Sequence, residues 1–310
     1  MIFVDPKEDI AFKKIFADEH HPAVIISFIN AVLGLEGQEC IEQIKILNPY
    51  QVPTIKGLKS TVLDIQAQDM RGFKFIVEMQ VERDEHFAKR AVFYSSKAYS
   101  TQIKVAKDYS KLNPVYFIGV LDFKLLEGED YLSRHLILNE ATGKQELKDL
   151  VWNFIELPKF KLAESALETT VQKWVYFLKH AGNLERIPAK LQEESSICEA
   201  FDIANQHSWN EKELRAYDYW SMREGIRVNS LSTAKKVGFA KGKEVGLAKG
   251  KEEGFAKGKE EGFTKGKEAG FSEGEQKKAF SIGRKMKAQG INTETIVKIT
   301  GLSTEEVNRF

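Results

Sequence analysis

The 310-residue chain has a formal net charge of +1, with 42% hydrophobic and 29% charged residues. This composition is ordinary for a globular protein with one large core or two domains, and it excludes a global basic field for nucleic acid. Two distant cysteines indicate neither a disulfide framework nor a zinc site. Since there is no signal-peptide pattern and no apolar run of about 20 residues, we expect a soluble cytoplasmic protein without a membrane partner.

Two helices are predicted at the N-terminus. The first opens at residues 5–8, where acidic side chains suit the helix dipole. Lys13 lies in this helix, either as a phosphate contact or as a solvated residue. The second helix runs from Pro22, a favoured first-turn residue, to Gly34.

A strand and a loop follow. Residues 41–48 alternate in polarity as a strand does, and residues 49–60 contain prolines, a glycine and lysines typical of a loop. Lys56 and Lys59 in this loop are weak candidates for contacts with backbone phosphates.

Residues 61–81 form a predicted hairpin, since both arms alternate apolar and polar side chains at period two. The turn contains Gly72, which can adopt a positive φ. If residues 70–72 are a three-residue loop, Asp69 pairs with Phe73.

This register brings two carboxylates together. It places Asp64 directly opposite Glu78, and Gln80 opposite Val62. Opposed carboxylates need a proton or a cation between them, and Mg²⁺ is held by one or two carboxylates with several waters. The alternative is a hairpin whose polar face is simply solvated, because a one-residue slip would break the pairing.

A long helix and a buried strand come next. Residues 82–108 lack Gly and Pro and have helical periodicity, with Arg90 and Tyr94 on one face. That face either holds phosphates or is a solvated charged surface. Residues 115–121 are a continuous apolar run, which predicts a central strand, and 134–139 and 151–157 are further strands.

Beyond residue 158 the pattern becomes helical, over 162–181, 189–206 and 210–226. An eight-residue repeat of the type Gly-Phe-Ala-Lys-Gly-Lys-Glu-Glu then covers 238–274. Its charge pairs suit a helix, but glycine opposes one by up to roughly 1 kcal/mol per residue. The repeat is therefore a weakly stable helical stalk, ordered through self-association, or a flexible tether.

The stalk and the C-terminus offer weaker DNA contacts. Between Lys235 and Lys278 there are 12 lysines and 8 glutamates, a balance of +4 that favours either non-specific DNA contact or solvation. The last segment predicts two short helices joined by a turn at Gly301, as in a helix-turn-helix. Glu305 and Glu306 make protein packing at least as good an interpretation as DNA reading.

The spacing of Asp64 from Glu78-Met79-Gln80 resembles the core of the PD-(D/E)xK nuclease superfamily. More narrowly it resembles the recombination-promoting nuclease and transposase family, in which Gln replaces the usual Lys. Leu-Asp-Ile-Gln-Ala-Gln-Asp at 63–69 and Val-Glu-Met-Gln at 77–80 are its most specific segments. The resemblance covers most of residues 1–225 through further blocks in the expected order: 9–16, 90–102 and 112–121.

The resemblance implies a metal-dependent DNA endonuclease. Asp64, Glu78 and the Met79 backbone carbonyl would bind Mg²⁺, with Mn²⁺ as a substitute. Gln80 takes the position of a Lys that orients the nucleophile. Because an amide is uncharged, it can only position water or a ligand, so weak or tightly regulated turnover is expected.

Five further residues are candidates for supporting or DNA-contacting roles: Asp9, Lys13, Arg90, Tyr94 and Gln102. Whether Asp9 adds a third carboxylate is open. Gln102 is included because similar superfamily members place a polar helix residue near the metal.

The predicted fold is α/β, a restriction-endonuclease-like core with a mixed central sheet flanked by helices. We expect the core at 1–157, a helical subdomain at 158–230, the stalk or tether at 231–275 and a helix-turn-helix-like unit at 276–310. The predicted function is DNA phosphodiester hydrolysis linked to recombination or transposon-related processing. The alternative is a DNA-binding or assembly protein with little or no turnover. A homo-oligomer formed through the repeat is also expected.

Overall fold

The computed structural model describes residues 3–48, 50–51, 61–103 and 108–310. Chain contacts divide it into two compact units, Met1–Ile226 and Arg227–Phe310. Lys56 and Lys59 lie outside the described residues. No helix within the described ranges is both long and apolar enough to cross a membrane.

A mixed sheet is the centre of the first unit. The strands are β1 (Ile44–Leu47), β2 (Tyr50–Gln51), β3 (Thr61–Val62), β4 (Ile65–Asp69), β5 (Lys74–Gln80), β6 (Val115–Leu121), β7 (Leu132–Leu136) and β8 (Leu150–Glu156). In the described chain the main sheet has the order β1-β4-β5-β6-β8-β7, with β5, β6 and β8 parallel. The pairs β1–β4, β4–β5 and β7–β8 are antiparallel, and β2 pairs with β3 separately. The predicted mixed α/β sheet is confirmed.

The β4–β5 hairpin has the register expected from its sequence. The Asp69 N–H donates to the Phe73 carbonyl at 3.1 Å, and the ladder continues in step to the start of β4. One residue before Ile65, this register places Asp64 opposite Glu78. The prediction that the two acidic residues face each other therefore agrees with the strand pairing.

The turn chemistry explains why this register is fixed. The Asp69 carboxylate accepts hydrogen bonds from the N–H groups of Arg71 at 3.0 Å and Phe73 at 2.9 Å. Gly72 has a φ of 90°, which residues with a Cβ rarely adopt. A slip by one residue would lose both features.

The ladder does not extend as far as predicted. Val62 pairs with Tyr50 in the small sheet, so a pair between Val62 and Gln80 is not part of the described β4–β5 ladder. Strict alternation would put Leu63 on the same face as Ile65, but Leu63 packs in the core on the other face. A bend at residue 64 interrupts the alternation and explains both differences.

Helices cover both faces of the sheet. On one face, buried Phe16 and Trp174 belong to a core that includes Phe75 from β5; on the other face, Phe87 packs with Ile76. The helices in this unit are α1 (Asp9–Phe16), α2 (Pro22–Leu33), α3 (Phe87–Ser100), α4 (Thr170–His180), α5 (Ser195–Ala204) and the start of α6 (Glu211–Ala288). Helices α1, α2, α4 and α5 share the first core, whereas α3 covers the other face.

Several helices are shorter than their sequence patterns. The chain predicted as a helix from residue 82 becomes helical at Phe87, after a turn in which Asp84 accepts the His86 N–H at 2.8 Å. Helix α4 begins at Thr170 rather than 162, because Thr169 forms a capping box with Gln172. Local side-chain hydrogen bonds therefore determine the residues at which these helices begin.

The second unit contains the remainder of α6 and two short helices, α7 (Thr293–Thr300) and α8 (Thr304–Asn308). Helix α6 includes the whole repeat, whose large apolar residues are exposed, as Phe255 is at 77%. Self-association through the repeat stays a prediction. Gly301 turns the chain between α7 and α8 as expected, and Ser303 caps α8.

The hairpin turn can be tested against a matched glycine. Gly72 and Gly128 have nearly equal φ, 90° and 91°, but a Cβ at Gly72 would lie 2.8 Å from Asn113 Nδ2 whereas Gly128 faces open space. Each Ala substitution costs roughly 1–3 kcal/mol of backbone strain. Gly72→Ala should lower the free energy of unfolding further than Gly128→Ala in urea titrations. Equal losses of unfolding free energy in the two variants would show that the Asn113 side chain moves aside without cost.

Candidate active site

The carboxylates of Asp64 and Glu78 each accept a hydrogen bond from a backbone N–H of the facing segment. The Met79 N–H donates to Asp64 Oδ2 at 2.8 Å, and the Asp64 N–H donates to Glu78 Oε1 at 3.1 Å. The strand pairing thus brings both carboxyl groups to one place, beside the bend that ends β4. Sequence reasoning predicted this pair.

Burial sets the electrostatics of the pair. Glu78 is 4% exposed, and desolvation together with the nearby Asp64 charge raises the pKa of Glu78 to about 8. Burial also raises the pKa of Asp64, against the opposing effects of the Met79 N–H and the Lys13 ammonium. Two ionised carboxylates here are therefore costly without added positive charge.

Lys13 supplies part of that charge. Its Nζ lies 2.5 Å from Asp9 Oδ1 and 3.5 Å from Asp64 Oδ1. The ammonium therefore lies between these carboxylates, and Asp9 is linked to the site through Lys13. Lys13 is half-buried in this position, unlike a freely solvated helix residue.

Arg90 reaches the site from α3. Its Nη1 donates to Gln80 Oε1 at 3.4 Å and to Asp84 Oδ2 at 2.9 Å, and its Nε donates to Tyr94 Oη at 3.3 Å. The guanidinium carbon lies 5.4 Å and 5.5 Å from the ring centroids of Phe87 and Tyr94. Its positive charge opposes the rise in the pKa of Glu78 that burial and Asp64 cause.

Gln102 lies elsewhere. Its side chain donates to the Asn113 carbonyl at 2.8 Å and accepts from the Asn113 N–H at 3.0 Å, just before β6 begins. Since β5 and β6 are parallel, this is the end of the sheet near Lys74, four residues or about 13 Å from Glu78. The structure does not bring Gln102 to the carboxylates, where the resemblance had placed it.

Sequence reasoning missed a neighbouring pair. The Asp122 N–H donates to the Gln80 carbonyl at 3.0 Å, and Lys7 Nζ lies 2.9 Å from Asp122 Oδ2. Asp122 directly follows β6, the parallel neighbour of β5. The available signal was that the C-terminal ends of adjacent parallel strands meet at one edge, where ligands bind in open α/β sheets.

The donor set fits a hard divalent ion. Within the described residues no group of three or more acidic, His or Cys side chains could hold a metal. Asp64 and Glu78 nevertheless supply two carboxylates with unfavourable mutual charge, and Mg²⁺ uses one or two carboxylates with waters. These residues and the Met79 carbonyl are the ones that would hold the ion.

The buried Glu78 predicts a pH-dependent stability in the presence of chelator. The folded protein keeps the Glu78 proton up to about pH 8, whereas an unfolded glutamate releases it near 4.5. The stability that Glu78 contributes is thus full below pH 4.5 and lost as the pH rises through 8. Glu78→Gln cannot ionise, so its urea unfolding free energy should fall less between pH 5.5 and 8.5. Parallel curves for both proteins would contradict this.

A family model described as PD-(D/E)XK nuclease family transposase matches residues 6–226, more than two thirds of the chain. The matched range contains Asp64, Glu78 and Gln80, together with Lys13 and Arg90. Neither the curated proteins nor the solved structures contain a match. With the mixed sheet and the carboxylate pair already described, the chain belongs to the PD-(D/E)XK nuclease family of transposases.

Proposed function

We propose that this chain is a metal-dependent endonuclease that hydrolyses DNA phosphodiester bonds during recombination or transposon-related processing. One observation carries the proposal: Asp64 and Glu78 are held side by side by hydrogen bonds of 2.8 and 3.1 Å to each other's strands. A buried pair of like charges stabilises nothing by itself. It is useful where a cation is to be bound.

Asp64, Glu78 and the Met79 carbonyl would hold Mg²⁺, or Mn²⁺ in its place. A bound ion would supply Lewis-acid activation of the phosphate and of water. Lys13 offsets the charge of Asp64 and Asp9 before the ion arrives.

Gln80 and Arg90 form the other side of the site. The Gln80 amide donates from Nε2 to the Glu82 carbonyl at 3.2 Å and accepts from Arg90 through Oε1. It therefore orients groups by hydrogen bonding and carries no charge of its own. In this proposal, Arg90 and Tyr94 contact a DNA phosphate.

The alternative function is DNA binding or assembly without turnover. The neutral Gln80 favours it, since the site lacks a motif lysine. The Lys13–Asp64 ion pair also favours it, because an internal ammonium partly satisfies the carboxylate charge without a metal. In that case the chain retains DNA but does not cut it.

Plasmid cleavage tests the proposal. With supercoiled DNA and Mg²⁺ or Mn²⁺, wild type should nick or linearise the plasmid, and chelator should stop it. Asp64→Asn and Glu78→Gln remove ion ligands and should each slow cleavage by about 100-fold or more. Glu140→Gln, which changes an exposed loop carboxylate, is the matched control and should cleave normally.

Two outcomes would reject the nuclease assignment. Equal cleavage by wild type and both site variants would identify a contaminating nuclease or a different site. No cleavage by wild type, with DNA binding retained in a mobility-shift assay, would support the alternative function.

A further inference from the structure

The proposed reaction needs a positive charge that Gln80 does not have. Phosphodiester hydrolysis increases the negative charge on the phosphate oxygens in the transition state, and enzymes stabilise this charge with metal ions and with Arg or Lys. The amide of Gln80 offers dipoles only. A second cation near the carboxylate pair is therefore required from another element.

Two cationic side chains flank the pair in the described structure, and they differ in how far they are neutralised. Lys13 faces two carboxylates, Asp9 at 2.5 Å and Asp64 at 3.5 Å. Arg90 faces one, Asp84 at 2.9 Å. The charge of Arg90 is therefore less neutralised than that of Lys13 and more available to an anionic ligand.

Arg90 also has a donor to spare. Its hydrogen bonds use Nη1 and Nε, and none from Nη2 is found among the described residues. The side chain is 35% exposed, so that a phosphate can reach it from solvent. Arginine binds phosphate oxygens with its fixed fork of N–H donors.

The guanidinium is fixed before any ligand arrives. It packs against the rings of Phe87 and Tyr94, and Asp84, Tyr94 and Gln80 each accept one of its hydrogen bonds. Groups fixed in advance stabilise developing charge without a cost of reorganisation during the reaction.

We propose that Arg90 supplies the cationic side chain that the Gln80 position lacks, and that Gln80 holds the Arg90 guanidinium beside the scissile phosphate. This role rests on the proposed nuclease function. Arg90 contributes charge and hydrogen bonds and transfers no proton. The attacking water bonds through its oxygen to phosphorus and releases one proton to solvent, the ester P–O bond breaks, and the leaving oxygen takes one proton from solvent.

The competing role for Arg90 is a plain contact with the DNA backbone. Such a contact acts equally on bound substrate and transition state, so its loss weakens DNA binding and leaves kcat nearly unchanged. A cation that acts mainly in the transition state gives the opposite pattern. The two roles are separated by measuring kcat beside the equilibrium DNA affinity.

The experiment compares Arg90→Ala, Arg90→Met and the double variant Arg90→Ala/Gln80→Lys in the full chain. Arg90→Met keeps the aliphatic packing on Phe87 and Tyr94, should Arg90→Ala fail to fold. Lys89→Ala removes an exposed charge from the same helix and is the matched control. Affinity for a short fluorescent DNA duplex is measured by anisotropy with EDTA, so that it does not depend on metal or turnover.

We expect kcat to fall about 100-fold in Arg90→Ala and Arg90→Met, with duplex affinity within about twofold of wild type. Restoring a lysine in Arg90→Ala/Gln80→Lys should recover about tenfold in kcat, because the charge returns from the neighbouring position. Lys89→Ala should match wild type.

The role is overturned if both Arg90 variants keep wild-type kcat, if affinity falls as much as kcat, or if the added lysine recovers nothing. Absence of cleavage by wild type would overturn the proposed function, and this role with it. Cleavage of DNA by the wild-type protein therefore distinguishes the two failures.

Discussion

The register of the β4–β5 hairpin is the constraint on which the site depends. It places Asp64 against Glu78 and joins them by backbone hydrogen bonds of 2.8 and 3.1 Å. The Asp69 carboxylate and the positive φ of Gly72 fix this register at the turn. A slip of one residue would turn one carboxylate to the opposite face of the sheet.

Two cationic side chains lie next to the negative charge of this hairpin. Helix α1 brings Lys13 to the Asp64 side, and α3 brings Arg90 to the Glu78 side. The two helices lie on opposite faces of the sheet and belong to different cores. The fold thus supplies cations from both layers to the acidic pair.

Sequence predicted what local rules determine, such as the strand pairing of Asp64 with Glu78 and the shared face of Arg90 and Tyr94. It did not predict the Lys13–Asp64 contact, because the approach of α1 to the hairpin is a tertiary event that no periodicity records. Gln102 was misplaced for a related reason: a helix pattern gives a face, but the direction in which α3 crosses the sheet decides which end of β5 that face meets. Helix bounds shifted where polar side chains capped the chain locally.

In the proposed function, Asp64 and Glu78 together bind one divalent ion. Calorimetric titration of Mn²⁺ into chelator-stripped protein at pH 8.5, above the Glu78 pKa of about 8, measures this binding. We expect one site per chain in wild type and in Glu140→Gln, and loss of that site in Asp64→Asn and in Glu78→Gln. Retention of wild-type Mn²⁺ affinity by either site variant would show that the two carboxylates do not bind the ion together.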